Sequence, residues 1–353
     1  NWGSFSGSVG NIPFFVSKEL SRLTGRATVS GISAESILEF DPSQLTGGSS
    51  GGSMGGSVAL YASQQIAMSG NFLIEGNVGI DNGSAISAAG SVEIEGDLFY
   101  KTGTVPANMA SIVTGDLLNQ AVSPPTVMDF PSLPSGLPPR ADIEVKNKQL
   151  LTLENPGKYT TIQVKNGGIL NIDTGTSGSI LRIEVDNVSV EGLLNVQGEG
   201  TLILTVRNNC LLSNGNITAT NPSLFLLHFL NLNGTSFSLN SKGSFSGVFF
   251  LEKGTIALSG TFNMMGPILC KAAVSSVAIS GTYDGLNLYA PQAHIAFSGN
   301  ATLNGWVYGK TIALSGTGEI HYKDVSGGGG PQWGNPGSGT GNEQSELKLI
   351  WYL

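Results

Sequence analysis

The sequence predicts an all-β chain folded as a right-handed parallel β-helix of about a dozen coils, and three observations carry this prediction. A phrase of the type Ile-Ala-Leu-Ser-Gly recurs at residues 256–260, 277–281, 295–299 and 312–316. Further copies lie upstream, an intact one at 66–70 and a degraded one at 86–90. The closing glycines of the four downstream copies are 21, 18 and 17 residues apart, which is the period of a solenoid.

The residue types within the phrase select a β-solenoid. Apolar-Ala-apolar alternates with a period of two, so two large side chains face inward and the alanine faces outward. Ser-Gly then interrupts the strand at a corner, where glycine accepts a positive φ without steric cost. About 20 residues hold three short strands and three corners, so each repeat forms one coil that pairs only with its neighbours.

Composition agrees with a solenoid and narrows the function. The 353 residues include 50 glycines, and only 12% of the chain is charged while 40% is hydrophobic. These values indicate many tight corners and neutral outer faces. The net charge of −8 without a basic cluster argues against nucleic acid and anionic membranes as partners. No apolar run long enough for a transmembrane helix occurs, and the start at Asn1 suggests a domain trimmed from a longer, exported protein.

We expect one β-helix domain over residues 1–353, with three departures from the repeat. Residues 1–45, with short helices at 13–25 and 33–40, are predicted to cap the first coil, whose strand edges need cover. Residues 101–141 are predicted to hold an inserted helix over 107–122 and an excursion, which includes the Pro-rich segment (residues 124–139). Residues 326–353 are predicted to form a long loop and a last strand.

The Pro-rich segment is too apolar to extend freely into water, so we expect it to pack along the outer wall. Its apolar side chains are Val127, Met128, Phe130, Leu133 and Leu137. Burial of each would stabilise the fold by roughly 1.5–3 kcal/mol.

Signals for catalysis, metals or cofactors are weak, and we predict none of the three. His228, His294 and His321 lack metal-ligand spacing, and the two cysteines, Cys210 and Cys270, are expected to be free core residues. Glycan-cleaving enzymes use converging acids, often beside a base. The outward carboxylates form two sets without a basic residue at a matching position on a neighbouring coil, so we interpret them as solvated: Glu75, Glu93, Glu95 and Asp97, and Glu184 with Asp186.

Two outward columns are candidates for binding. The alanines of the repeat stack into a flat stripe, which we expect the excursion or a terminal segment to cover. Aromatic side chains at alternate positions are the second column and resemble a platform for stacking sugar rings, unless the excursion or the tail covers them. The predicted carbohydrate-binding residues are Trp306, Tyr308, Tyr289, Trp333 and Tyr100.

The neutral Gly/Ser-rich repeats, the Pro-rich segment and the closing coil at residues 311–322, Thr-Ile-Ala-Leu-Ser-Gly-Thr-Gly-Glu-Ile-His-Tyr, resemble the C-terminal domain of a tapirin. Tapirins are surface proteins of thermophilic, plant-biomass-degrading bacteria, encoded beside type IV pilus genes. The resemblance covers nearly the whole chain and implies an extracellular, cell-surface adhesin that binds cellulose without catalysis. It assigns no binding residues.

The leading hypothesis is therefore non-catalytic adhesion to cellulose or a similar insoluble plant polysaccharide. One alternative is a structural component of a pilus or surface layer, which binds pilus proteins or itself rather than polysaccharide. A less favoured alternative is a polysaccharide hydrolase or lyase on the same scaffold.

Overall fold

The computed structural model describes residues 5–9, 12–19, 22–29 and 32–39 as strands, and in addition residues 58–122, 129–133, 135–239 and 242–323. The chain divides into two compact units where the sequence predicted one domain. One unit comprises residues 1–54 and 335–353, and the other comprises residues 55–334.

In the first unit the described residues form a four-stranded antiparallel sheet, so the helices expected at 13–25 and 33–40 are wrong. The registers leave two residues between consecutive strands, among them Gly10-Asn11 and Ser30-Gly31. Such dipeptides favour hairpin turns, and they recur every ten residues. This turn signal predicts the observed hairpins, whereas the spacing of the apolar side chains had suggested helices. The strands are β1 (Phe5–Val9), β2 (Ile12–Glu19), β3 (Arg22–Val29) and β4 (Ile32–Glu39).

The second unit is a parallel β-solenoid of about 12 coils, which confirms the predicted fold class. Among its described residues, three short 3-10 helices interrupt it, at Gly83–Ala85, Ala107–Ser111 and Pro222–Leu224. The strands are β5 (Val58–Glu75), β6 (Asn77–Asn82), β7 (Ile86–Glu95), β8 (Leu98–Thr102), β9 (Leu117–Asn119), β10 (Ile143–Val145), β11 (Leu150–Leu153), β12 (Gly157–Val164), β13 (Ile169–Asp173), β14 (Ile180–Val190), β15 (Leu193–Gln197), β16 (Thr201–Leu212), β17 (Asn216–Ala219), β18 (Phe225–Phe229), β19 (Ser236–Leu239), β20 (Lys242–Ser246), β21 (Val248–Leu258), β22 (Thr261–Ile279), β23 (Thr282–Phe297) and β24 (Asn300–Tyr322).

The coils do not stack in the order of the chain. The sheet runs from β10 to β24 and continues with β5, so that β9 lies at the far edge. At this junction Ile312, Ala313 and Leu314 pair in parallel with Ile66, Ala67 and Met68. The upstream copy of the repeated phrase is therefore the direct neighbour of the last downstream copy.

This order places the coil of residues 58–75 inside the stack. The coils at the two ends contain β9 and β10, so the first coil in the sequence has neighbours on both sides. The reason for expecting a cap at that coil is thus removed, although capping by residues 1–45 stays a prediction. The predicted segment at 326–353 lies outside the described residues.

A connector, residues 120–142, joins the two ends of the stack and must run its whole length. Val122 packs beside Tyr61 near one end. Phe130 makes an edge-to-face contact with Phe250 midway, with ring centroids 5.0 Å apart. At the other end the Arg140 amide donates a 2.8 Å hydrogen bond to the Lys158 carbonyl.

These contacts confirm part of the expectation for the Pro-rich segment. Phe130 packs against the outer wall and Leu137 is half-buried, but the Leu133 side chain is 60% exposed. Val127 and Met128 lie outside the described residues. The segment therefore contacts the wall at intervals instead of burying every apolar side chain.

The α-helix expected over residues 107–122 is also wrong. Only Ala107–Ser111 is helical, as a 3-10 turn, and β9 pairs in parallel with β8. Met109 and Val113 are buried, because the same apolar spacing that suits a helix also fills the inside of a corner and the next strand. These residues form part of the end coil.

The interior is a single apolar core that runs through the solenoid. Cys210 and Cys270 are buried and free, as predicted, and burial raises the pKa of both thiols. Among the described residues, no helix has the length and apolarity needed to cross a membrane.

Replacing Gly70 by Ala tests the junction between β24 and β5. Gly70 has a φ of +101°, and an added Cβ would collide with the Gly316 carbonyl oxygen, 246 positions away in the sequence. We expect Gly70→Ala to lower the free energy of unfolding by more than ~1 kcal/mol in urea titrations. The exposed Ser87→Ala is the control and should be neutral; equal stability of the two variants would contradict this coil order.

Candidate binding face

One side of the solenoid is a nearly flat surface of exposed and half-buried small side chains, which we call the alanine face. Six consecutive coils place a small residue at the same outward position, and these six pair directly from coil to coil. Stacked coils are ~4.8 Å apart, so the row is ~24 Å long. In spatial order its members are Ala257, Ala278, Ala296, Ala313, Ala67 and Ser87.

Polar rows flank the alanines on both sides. The row two residues downstream consists of exposed serines, and several of their hydroxyls donate to a carbonyl of the preceding coil, as Ser315 does to Phe297 at 3.0 Å. These bonds hold the serines in one orientation. The downstream row is Ser259, Ser280, Ser298, Ser315 and Ser69; the upstream row is Thr255, Ser276, His294, Thr311 and Gln65.

The three rows contain no Asp, Glu, Lys or Arg. His294, which is exposed as predicted, contacts the hydroxyl of Thr311 at 2.6 Å. Because alanine loses no side-chain entropy on burial and the serines are already held, the face is preorganised for contact with a flat partner. The described contacts of the connector lie on another side, so cover of the alanine stripe by the excursion is not what the structure shows. The alternative, cover by a terminal segment, concerns residues outside the described ones.

An open groove of about 730 Å³ adjoins the serine edge of the alanine face. Hydroxyl and amide side chains dominate its lining, and Lys242 supplies the one positive charge among the lining residues. Tyr283 fills the core beneath this corner, where its hydroxyl donates to the Leu239 carbonyl and accepts from the Gly260 amide. The groove is lined by Ser213, Asn214, Lys242, Ser259, Gly260, Thr261, Gly281 and Thr282.

The predicted aromatic platform lies on the side that the connector crosses. Tyr289, Tyr308 and Tyr61 stack on successive coils, with ring centroids 5.0 and 4.8 Å apart. Trp306 is 0% and Tyr308 is 9% exposed, and only Tyr289 is half-exposed. The prediction that these side chains point away from the inner core is therefore right, but Trp306 and Tyr308 do not form an open platform for sugar rings.

The other two predicted sugar-binding residues are not brought to this column. Tyr100 pairs with the buried Ile80 and packs against the inner core, so its predicted outward direction is wrong. Trp333 lies outside the described residues. Tyr61, which the sequence analysis did not select, completes the stack; its hydroxyl donates to Asp81 at 2.6 Å, and burial is the main cause of its raised pKa.

Several carboxylates expected to be solvated have basic partners. Glu184 lies 3.0 Å from Lys158 and 2.9 Å from Arg207. Burial favours the neutral acid, but the hydrogen bonds from both bases outweigh it and lower the pKa of Glu184. Glu75 pairs with His321 at 2.6 Å across the β24–β5 junction. Both pairs were missed because the coil register and the coil order were not known from the sequence.

Another histidine, His228, is buried beneath the connector. His228 lies 2.7 Å from Glu252, which also binds Lys271, and the Lys271 ammonium lies over the Phe130 ring. Burial lowers the pKa of His228 against the opposing effect of Glu252. In the described part of the chain, no group of three or more potential metal ligands converges.

The sequence matches no protein-family model and no curated protein. Two solved structures are similar over most of the chain. An ice-binding protein from the Antarctic ascomycete Antarctomyces psychrotrophicus is 12% identical with a TM-score of 0.23, over 76% of this chain and 96% of that one. An ice-binding protein from an Antarctic Flavobacteriaceae bacterium is 11% identical with a TM-score of 0.15, over 76% and 97%. These TM-scores are too low for any conclusion about function.

Replacing Trp306 by Ala separates a packing role from a binding role. Because the indole is fully buried, we expect a loss of ~3–5 kcal/mol in the free energy of unfolding, measured with urea. A variant as stable as the wild type would contradict this burial and would favour the open surface position that the sequence analysis predicted for Trp306.

The Glu75–His321–Glu319 cluster predicts a pH dependence of stability. Burial favours neutral His321, but its hydrogen bonds to Glu75 and Glu319 outweigh burial and raise its pKa. Its contribution is therefore complete below the unfolded pKa of about 6.5 and disappears as the pH rises through the raised folded pKa.

We expect His321→Gln to destabilise the protein more at pH 5.5 than at pH 9, as measured by thermal unfolding. Glu75→Gln should reduce the same difference, since it removes the partner at 2.6 Å. Equal destabilisation by His321→Gln at both pH values would contradict this assignment.

Proposed function

We propose that this β-solenoid is a non-catalytic extracellular adhesin whose alanine face binds the flat surface of an insoluble polysaccharide such as cellulose. The observation that carries the proposal is the straight, uncharged row of small side chains with hydroxyl rows on both sides. A crystalline glucan offers a matching pattern, because its pyranose rings form a flat apolar surface with hydroxyl groups along the chain edges.

The energetics favour a flat partner over a small ligand. Alanine methyl groups remove apolar surface from water only when the partner is flat over several coils. The serine and threonine hydroxyls keep their hydrogen-bonding capacity by pairing with hydroxyl groups of the glucan. The polar groove beside the serine row adds contacts for a glucan chain that projects from the surface of the cellulose crystal.

Two aspects of the structure support a role without catalysis. The carboxylates that come closest to an acid–base arrangement, Glu184 and Glu75, are held in ion pairs on other faces of the solenoid. The alanine face itself presents no acid. A release assay for reducing sugars on glucans, xylans and pectins tests this aspect, and release that is lost in Glu184→Gln or Glu75→Gln would contradict it.

Substitutions on the alanine face test the binding surface. We expect Ala278→Arg and Ala313→Arg each to weaken binding to microcrystalline cellulose at least tenfold, about 1.4 kcal/mol, because a long charged side chain holds the two flat surfaces apart. The measurement is a depletion isotherm, with folding checked by circular dichroism. Thr152→Arg, at an exposed position of β11 outside both the alanine face and the groove, is the matched control and should bind as the wild type does.

The same variants separate three kinds of flat partner. Loss of cellulose binding in both alanine-face variants supports the proposal. Wild-type protein that ignores cellulose but inhibits ice growth, or that binds pilus proteins through the alanine face, would contradict the polysaccharide assignment. Unchanged cellulose binding in both variants would move the site to another face.

A further inference from the structure

The ring of Phe130, on the connector, docks on the solenoid wall beside a buried histidine, His228. We propose that this contact is a proton-sensitive latch, in which Phe130 packs on the wall while His228 is neutral and is released when His228 is protonated. The latch lies away from the alanine face and does not depend on polysaccharide binding.

Three contacts hold the Phe130 ring, and His228 or its partner takes part in two of them. The ring meets Phe250 edge to face with centroids 5.0 Å apart, and it meets the His228 imidazole in the same way at 5.9 Å. The Lys271 ammonium lies 4.7 Å from the ring centroid. Glu252 holds Lys271 there and also binds His228. The docking of the ring is therefore connected to the charge of His228.

The surroundings of His228 suit a neutral imidazole. The side chain is 1% exposed, and its Nε2 lies 2.7 Å from Glu252 Oε1, which assigns the proton of the neutral ring to Nε2. Nδ1 is buried and has no hydrogen-bond partner among the described residues. Protonation would therefore place a charge and a second N–H donor in a site without an acceptor for that donor.

A proton on His228 would also leave two cations on one carboxylate oxygen. Glu252 Oε1 contacts His228 and, at 2.6 Å, the Lys271 ammonium. Water reaches a charged His228 only when the Phe130 ring moves away, so protonation favours the released state.

Other charges near the latch are engaged elsewhere or exposed. The charged groups on the neighbouring elements are Glu252 and Lys253 of β21, Lys271 of β22, Arg207 of β16, Glu184 of β14 and Asp129 of the connector. Lys253 binds the Leu232 carbonyl, Arg207 and Glu184 bind each other, and Asp129 is exposed. Among the described residues, Glu252 is the one carboxylate in contact with His228.

The sign of the pH dependence follows from linkage. Burial lowers the pKa of docked His228, and the hydrogen bond to Glu252 opposes this shift only in part. The released state therefore takes up a proton more readily than the docked state. Docking is at full strength above the ordinary histidine pKa of about 6.5 and weakens as the pH falls towards the lower pKa of the docked state.

Release of the ring uncovers an apolar part of the wall. Phe130 packs against a cluster of Val248, Phe250 and Leu269, each at most 1% exposed, and the half-exposed Tyr289 adjoins it. An exposed apolar patch is typical of an interaction surface, so acid opens a surface that is covered at neutral pH.

Histidine NMR in the full chain tests the coupling. The chain has three histidines, and the ring signal of His228 is assigned by its absence in His228→Gln. We expect the pKa of His228 to rise in Phe130→Ala and in the milder Phe130→Leu, because coupling between docking and protonation is reciprocal. His294 and His321 are the internal controls and should titrate as in the wild type. A His228 pKa that is the same in the wild type and both variants would overturn the latch.

A nitroxide label at Leu133→Cys reports release directly. This side chain is 60% exposed, and the two natural cysteines are buried. We expect the mobility of the label to increase as the pH falls from 8 to 5, and to stay constant when His228→Gln is added. Mobility that is independent of pH, or that increases equally in His228→Gln, would overturn the proposal.

Discussion

The parallel backbone ladder between residues 305–322 and residues 58–75 is the interaction on which the rest of the structure depends. It joins segments that are more than 200 residues apart, and it uses the same type of inward residues and corner glycines as the steps between residues 256 and 316. Parallel ladders require only matching strands at matching corners, so a coil accepts any neighbour with the same phrase. The fold thereby closes a break in chain order without any special interface.

The position of this ladder determines which faces remain available. Because the block at 58–119 lies beyond the last downstream coil, the chain must return along the whole solenoid before residue 143. The return crosses the side that carries Trp306, Tyr308 and Phe250, and these aromatic side chains are buried. The alanine face, which has the smallest side chains, stays exposed. The described connector residues Val122 and Phe130 thus lie on the aromatic side, and the alanine face lies on another side.

The sequence was sufficient for the fold class, since the phrase at 256–316 carries both the strand period and the corner. It was not sufficient for the coil order, because repeats with the same phrase are interchangeable as neighbours. The pair formed by His321 and Glu75 follows from that order and was missed for the same reason.

The misassigned helix at 107–122 shows a second limit: Met109 and Val113 have a spacing that fits both a helix and the inside of a corner. For the candidate site, the alternation of side chains identified the outward columns, but only the path of the connector decided which column is covered.

The coil order is tested most directly by the distance between two members of the serine row, one from each of the two sequence-distant segments. Nitroxide labels at Ser69 and Ser259, both exposed, can be measured by pulsed electron paramagnetic resonance in the otherwise unaltered chain. The present order places these positions four coils apart, a backbone distance of ~19 Å. A solenoid stacked in chain order would separate them by at least eight coils, ~38 Å or more. A distribution centred near the shorter distance is the predicted result, and one centred near the longer distance would contradict the account.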